Sequence, residues 1–146
     1  MLEITGDIWR CDGPIVVTTN GDINSRGECV MGRGIALQAK QRYPEFPKAV
    51  GKYLREEGNH VGWFREFGKH GLITFPVKHH WSEIADMELI EQSAKDLHLM
   101  VYKDYHPPYE IYMVRPGCGN GGLRWSEVKP LIDWLDDRFV VVENRL

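Results

Sequence analysis

The feature that most constrains the fold of this chain is an alternation of short strands with helices, in which two glycine-rich loops each lie between a strand and a helix. Residues 15–19, Ile-Val-Val-Thr-Thr, are β-branched throughout and predict a buried strand. Residues 2–5 predict a second short buried strand. Strands that alternate with helices form a mostly parallel or mixed sheet covered by those helices, so the sequence predicts an α/β fold.

Apolar spacing and helix-ending residues indicate the other elements. Helices are predicted over 35–43 and from about Pro47. A long helix follows Asp86, which is a good capping residue, and a last helix begins at Ser126. The other predicted strands are 62–67, 71–77, 110–114 and 139–142, and a turn is predicted over 106–108.

Composition excludes several classes of protein. The 146 residues, of which 42% are apolar without counting glycine, fit one domain over 1–146 with a sizeable core. No apolar run approaches the roughly 20 residues of a membrane span, and residues 1–10 do not resemble a secretory signal, so a cytoplasmic location is expected. Cys11, Cys29 and Cys118 are isolated, which argues against a disulfide framework and against a zinc site.

Charge is nearly balanced overall but uneven along the chain. The formal net charge is −3, yet residues 40–80 carry 8 basic and 4 acidic side chains and 4 of the 6 histidines. The plain interpretation of this segment is a solvated face. The alternative is a surface that meets phosphate or nucleic acid.

The two glycine loops, Val30 to Ala36 and Pro116 to Leu123, are the strongest functional signal. Glycine lets the backbone approach an anion closely, and the helix that follows offers unpaired N–H groups at the positive end of its dipole. Two such loops at the carboxyl ends of strands favour a diphosphate ligand. The alternative is that these glycines only make turns.

A nicotinamide-dinucleotide site is a competing interpretation of the second loop. Gly117, Gly119 and Gly122 satisfy GxGxxG, and Glu143 lies about 20 residues further on. The chain stops soon after Glu143, so the remaining strands of that fold would need an unusual order. No Walker A sequence is present either.

The segment Phe75-Pro-Val-Lys78-His-His-Trp81 places a lysine at a predicted strand end beside aromatic residues. A surface cation is the plain interpretation of Lys78. A partly buried amine next to a sugar is instead suited to attack the anomeric carbon or the open-chain aldehyde. His79 and His80 are candidate proton carriers, but adjacent strand residues point oppositely, so at most one shares the face of Lys78.

Together these motifs resemble the macrodomain family. The resemblance rests on Gly6-Asp-Ile8, the strand ending in Asn20, Met31-Gly-Arg-Gly-Ile-Ala36, Phe75-Pro-Val-Lys78 with Trp81, and Gly117-Cys-Gly-Asn-Gly-Gly-Leu123 with Trp125. It covers essentially the whole chain. The most similar branch contains the DNA ADP-ribosyl glycohydrolase antitoxins and the lysine-dependent terminal ADP-ribose glycohydrolase.

The resemblance implies a three-layer α/β/α fold with a mixed, mostly parallel central sheet, and a cleft that binds ADP-ribose. It implies that Asp7 accepts a hydrogen bond from the adenine amino group, with the Ile8 backbone beside it. It also implies that Lys78 is the catalytic lysine and that Asn20 lies near the distal ribose, so both are predicted catalytic residues. The other residues predicted to bind ADP-ribose are Thr19, Met31, Gly32, Arg33, Gly34, Ile35, Ala36, Pro116, Gly117, Cys118, Gly119, Asn120, Gly121, Gly122 and Leu123.

The implied activity is removal of a single ADP-ribose from DNA or protein. The implied partners are ADP-ribose or ADP-ribosylated DNA or protein, with nucleic acid as the macromolecular partner in the first case. No metal is expected, because the histidines and cysteines do not form a ligand cluster in the sequence. No cofactor is expected either, and ADP-ribose is the ligand or product. The oligomeric state stays open.

Two departures from the family pattern keep alternatives open. The terminal glycohydrolase carries an aspartate in its second glycine loop, whereas residues 120–122 here are Asn-Gly-Gly. The first loop is also longer than in the DNA-directed branch, by residues 21–29, which are expected to cover the cleft or to change the leaving group that fits. An ADP-ribose-binding module without turnover and a phosphatase acting on ADP-ribose 1″-phosphate are therefore the alternatives.

Overall fold

The computed structural model describes residues 1–104 and 109–144, so the turn predicted over 106–108 lies outside the described residues. Its strands are β1 Leu2–Gly6, β2 Ile15–Asn20, β3 Gly62–Phe64, β4 Leu72–Lys78, β5 Ile111–Val114 and β6 Phe139–Asn144. Its α-helices are α1 Gly34–Arg42, α2 Phe46–Glu57, α3 Met87–Asp104 and α4 Trp125–Ile132. The alternation of strands and helices predicted from the sequence is confirmed.

Within the described residues the strands form one six-stranded sheet in the order β1-β6-β5-β2-β4-β3. All neighbouring pairs from β1 to β4 are parallel, and β3 pairs antiparallel with β4. The carboxyl ends of the five parallel strands therefore meet at one edge of the sheet, where ligands bind in open α/β sheets. The predicted mixed, mostly parallel sheet is confirmed.

Buried side chains on the two faces of this sheet form two separate cores. Along β2, Val16 belongs to one core, whereas Ile15 and Val17 belong to the other. The first core includes apolar residues of α3 and α4, and the second includes those of α1 and α2. Helices thus cover both faces of the sheet, which confirms the three-layer α/β/α arrangement.

The first strand is exposed, so its predicted burial is wrong. Leu2 is 45% exposed and Ile4 is 43% exposed. The reason is topological, because β1 is the outermost of the described strands and, among them, pairs only with β6. The predicted strand 62–67 is also shorter than expected, since the chain turns after Phe64 and the Phe67 N–H donates to the Phe64 carbonyl.

The starts of the last two helices lie at or within one residue of the positions predicted from local sequence signals. The Asp86 carboxylate accepts hydrogen bonds from the N–H groups of Glu88 and Leu89 at 2.9 and 3.4 Å, which caps α3 as predicted. The last helix begins at Trp125, one residue before the predicted Ser126. No helix in the described part of the chain is long and apolar enough to cross a membrane.

Candidate functional site

A cavity of about 1000 Å³ crosses the carboxyl ends of the parallel strands. Its lining includes the ends of β6, β5, β2 and β4, at Asn144, Val114, Asn20 and Lys78. Adjacent strands are about 4.8 Å apart, so the three intervals from β6 to β4 span about 14 Å. The cavity therefore suits an elongated ligand that lies across the strands.

Most of the residues predicted to bind ADP-ribose line this cavity. From the first half of the chain the lining includes Thr19, Asn20, Gly32, Arg33, Gly34, Ile35, Ala36 and Lys78. From the second glycine loop it includes Gly117, Cys118, Gly119, Asn120, Gly121 and Gly122. Two loops that are far apart in sequence thus meet around one cavity.

Five of the residues predicted to bind ADP-ribose do not line the cavity: Asp7, Ile8, Met31, Pro116 and Leu123. Met31 is 3% exposed and belongs to a core, and Leu123 packs against the other core. An Asp7 carboxylate oxygen accepts a 3.0 Å hydrogen bond from the Trp9 N–H. The Ile8 N–H donates to the side-chain oxygen of Asn144 at 2.9 Å, so residues 7 and 8 adjoin the cavity through Asn144.

The first glycine loop presents the N-terminus of α1 to the cavity. Residue 33, which precedes the helix, makes no side-chain capping hydrogen bond, so the first-turn N–H groups of residues 34–36 have no capping side chain. Gly34 opens the helix with a φ of +57°, a conformation that favours glycine. Uncapped first-turn N–H groups and the helix dipole create a site for an anion.

The second glycine loop forms the opposite wall and is fixed to the segment between β4 and α3. Residues Gly119–Gly121 make a short 3-10 helix. The Ala85 N–H donates a 2.8 Å hydrogen bond to the Gly121 carbonyl. The wall is therefore built from residues of two different crossover connections.

Lys78 is buried at the end of β4, with 7% of its surface exposed. Its Nζ lies 3.2 Å from the Trp81 carbonyl oxygen and 3.5 Å from the Asn120 carbonyl oxygen, and donates to both. No carboxylate among the described residues forms an ion pair with it. Burial of an amine without a carboxylate partner opposes folding, which is typical of a residue retained for function.

Asn20, the other residue predicted to be catalytic, shapes the first loop. Its side-chain NH₂ donates to the Val30 carbonyl at 3.0 Å, and its side-chain oxygen accepts from the Asp22 N–H at 3.0 Å. These bonds hold both ends of the 21–29 segment at the cavity. A direct role of Asn20 at the ribose stays a prediction.

None of residues 21–29 lines the cavity, so the prediction that this segment covers the cleft is wrong. It packs on α2 instead. The Cys29 N–H donates to the Pro47 carbonyl, and the Arg55 guanidinium donates to the Gly27 carbonyl, both at 2.9 Å. Asp22 reaches the rim of the cavity, where its carboxylate accepts from the Trp81 N–H at 2.7 Å and lies 3.0 Å from His80 Nδ1.

The Asp22–His80 pair makes this contact dependent on pH. The hydrogen bond to Asp22, then its charge and that of Glu83, raise the pKa of His80 above its ordinary value of 6.5. Partial burial acts to raise the pKa of Asp22, but the Trp81 N–H and His80 outweigh burial and lower it below 3.8. The stabilisation from His80 is therefore fully present below pH 6.5 and is lost as the pH rises through the raised pKa. The stabilisation from Asp22 is present above pH 3.8 and is lost as the pH falls through the lowered pKa.

We expect the replacement Asp22→Asn to lower the pKa of His80, because an amide carries no charge to favour the imidazolium form. Titration of the histidine ring signals by NMR measures this shift. His79 is the internal control, since its ring bonds to Asp86 at 3.0 Å instead. An unchanged His80 titration in Asp22→Asn would contradict the pairing.

Several lining residues were not among those predicted to be catalytic or to bind ADP-ribose. They are Thr18, Val30, Gln38, Val77, Trp81, Ser82, Glu83, Ile84, Val114, Arg115, Val142, Glu143 and Asn144. The sequence offers Trp81 as part of a motif and, like the other tryptophans, as a residue suited either to stacking on a base or to packing, whereas Glu83 and Asn144 carry no local signal. Burial raises the pKa of the Cys118 thiol, so this lining residue stays protonated and is a weak nucleophile. Within the described residues, no group of three or more His, Cys, Asp or Glu side chains is arranged to hold a metal ion.

No family model matches the sequence. The solved macrodomain of DarG from Mycobacterium tuberculosis superimposes with a TM-score of 0.75 at 29% identity, over 98% of this chain and 98% of that one. The chain is a macrodomain. The order of the strands, β1-β6-β5-β2-β4-β3, also differs from the 3-2-1-4-5-6 order of the dinucleotide-binding fold.

Two further comparisons bear on this macrodomain. A Mycobacterium tuberculosis protein named DNA ADP-ribosyl glycohydrolase is 33% identical over an alignment of 131 positions that covers 86% of this chain and 35% of that protein. The solved structure of Thermosipho africanus DarTG in complex with ADP-ribose has a TM-score of 0.74 at 21% identity, over 95% of this chain and 40% of that one. The macrodomain thus spans about a third of the length of the curated relatives it matches.

Proposed function

We propose that this macrodomain binds ADP-ribose and is a glycohydrolase that removes a single ADP-ribose from DNA, with Lys78 acting at the distal ribose. The observation that carries the proposal is the buried amine of Lys78, which lines the cavity and is held by two backbone carbonyls. The name of the curated relatives, DNA ADP-ribosyl glycohydrolase, supports the reaction and the DNA acceptor.

The cavity supports one direction for the ligand. The diphosphate lies between the second glycine loop and the N-terminus of α1, where the uncapped first turn offers N–H groups to an anion. The adenosine lies toward β6, where Asn144 links the cavity to Ile8 and Asp7. The distal ribose then lies toward β4 and Lys78, about 14 Å away.

The proposed reaction breaks the bond between the anomeric carbon of the distal ribose and the acceptor. Water supplies the hydroxyl that the anomeric carbon gains and the proton with which the acceptor leaves. Lys78 acts in one of two ways: its uncharged amine forms a transient bond to that carbon, or its ammonium group stabilises the transition state electrostatically. The carbonyls of Trp81 and Asn120 orient the amine in both cases.

The direct test is a panel of substrates with the purified chain: ADP-ribosylated DNA, a protein ADP-ribosylated on acidic side chains, and ADP-ribose 1″-phosphate. We expect free ADP-ribose to be released from DNA, measured by liquid chromatography with mass spectrometry. Calorimetry with ADP-ribose runs in parallel. Binding without release from any substrate would replace the proposal with a binding module, and phosphate release from the third substrate would replace it with a phosphatase.

The positions of exposed basic residues are consistent with a DNA acceptor. The basic segment, residues 40–80, includes the end of α1, all of α2, the edge strand β3 and the inner strand β4. Its exposed cations include Lys40, Arg42, Lys48 and Lys52. Cations spread over a surface favour contact with a phosphate backbone irrespective of base sequence.

A further inference from the structure

We propose that the exposed indole of Trp81 is an acceptor subsite, a stacking surface for the nucleobase of the nucleotide that carries the ADP-ribose. The inference rests on the proposed function, because it concerns the group that leaves the distal ribose. It assigns a ligand class, a planar aromatic base, to a side chain that the reaction itself does not use.

The position of Trp81 relative to Lys78 supports this assignment. Trp81 lines the cavity, and its carbonyl oxygen accepts a hydrogen bond from Lys78 Nζ at 3.2 Å. Both residues lie at the β4 end of the cavity, three strand intervals from Asn144 on β6. A ligand whose adenosine lies at β6 therefore presents its distal ribose, and the acceptor bonded to it, beside Trp81.

Trp81 also differs from the other four tryptophans in having a free ring. The indole N–H groups of Trp9, Trp63, Trp125 and Trp134 donate hydrogen bonds to Gln38, His70, Glu3 and Leu131, respectively. Guanidinium groups also lie over the rings of Trp9, Trp63 and Trp125. For Trp81, by contrast, the part of the chain that the structure describes shows neither an indole hydrogen bond nor a ring contact, and the residue is 58% exposed.

The backbone that carries the ring is firmly held. The Asp22 carboxylate accepts the Trp81 N–H at 2.7 Å, and the Glu83 N–H donates to the His80 carbonyl at 3.2 Å. Ile84, three residues after Trp81, also lines the cavity and is 70% exposed. A flat aromatic surface on a rigid backbone loses little conformational entropy on binding, which favours stacking.

The chemistry of the ring selects a base over an amino-acid acceptor. Every nucleobase offers a flat π-face, so stacking on an aromatic side chain is favourable whatever the base. An acidic side chain that carries ADP-ribose offers no such face. Trp81 is thus expected to favour nucleotide acceptors over protein acceptors at the same cavity.

The test compares wild type with Trp81→Ala and Trp81→Phe on two substrates, an ADP-ribosylated oligonucleotide and an ADP-ribosylated acidic peptide. Trp134→Ala is the matched control, because that ring is also exposed but lies outside the cavity. We expect Trp81→Ala to lower kcat/KM for the oligonucleotide about tenfold relative to the peptide, chiefly through KM. Trp81→Phe is expected to recover most of this preference, because phenylalanine keeps an aromatic face.

Binding of the ADP-ribosylated oligonucleotide and of free ADP-ribose to the same variants separates the two proposals. Stacking on the acceptor predicts that Trp81→Ala weakens oligonucleotide binding about tenfold more than ADP-ribose binding. An equal loss for both ligands would mean that the ring contacts ADP-ribose itself, and would overturn the inference. Absence of release by wild type would contradict the proposed function alone, since this difference in binding does not require turnover.

Discussion

The replacement Lys78→Met is expected to reduce release of ADP-ribose from DNA by on the order of 100-fold or more while ADP-ribose still binds. The amine is buried at the β4 end of the cavity, and methionine keeps most of the apolar bulk of the side chain without a charge or a nucleophile. Single-turnover release measures the loss. Calorimetry with ADP-ribose checks that the cavity persists.

One further variant and one reagent distinguish the mechanisms open to Lys78. Lys78→Arg keeps a positive charge but removes the nucleophile, so substantial activity in this variant would support electrostatic stabilisation. If the amine condenses with the open-chain aldehyde of ADP-ribose, water is lost and an imine forms. Borohydride then reduces that imine to a stable secondary amine, which mass spectrometry locates at residue 78. Release by Lys78→Met at the wild-type rate would eliminate both mechanisms.

The replacement Gly117→Ala is expected to destabilise the fold by about 3 kcal/mol and to weaken ADP-ribose binding. Gly117 has a φ of +76°, where an L side chain is strained. An added Cβ would also lie 2.6 Å from Ile90 Cδ1 and 3.1 Å from Ala85 Cβ. Ile90 is fully buried in a core, so it has little room to yield, and the second glycine loop must shift.

Gly119→Ala is the matched control for this prediction. Gly119 has a φ of +65°, but an added Cβ meets nothing within 4 Å, so only the backbone strain of about 1 kcal/mol applies. Chemical denaturation of both variants gives the difference in the free energy of unfolding. Equal destabilisation would show that contact with Ile90 does not matter, and that the loop adapts at no cost.

The core-forming elements could be predicted from the sequence because their signals are local. The β-branched run over residues 15–19 and the cap at Asp86 depend only on neighbouring residues, and both appear where predicted. Burial of β1 could not be predicted, since Leu2 and Ile4 are as apolar as residues of an inner strand. Their exposure follows from the place of β1 at the sheet edge, which is decided by pairing with β6, more than 130 residues away in sequence.

The candidate site likewise contains some residues that the sequence could predict and others that it could not. The glycine loops and Lys78 carry motifs, and they line one cavity. Asn144 and Glu83 carry none, because they enter the lining only through the order of the strands and the path of the β4–α3 connection. The contact of Asp22 with Trp81 likewise joins residues 59 apart that no sequence pattern relates.

The sequence by itself determined most of the elements, an α/β fold with a mostly parallel or mixed sheet, and the two loops suited to an anion, because hydrophobic periodicity, capping and glycine conformation act over a few residues. The three-layer α/β/α arrangement was implied by the resemblance to macrodomains. Only the tertiary structure decided which residues enclose the cavity, that Lys78 is buried between two carbonyls, and that the 21–29 segment lies on α2 beside the cavity instead of over it. These features depend on contacts between distant segments. Such contacts form because the whole chain must bury its apolar surface and pair its polar groups at the same time.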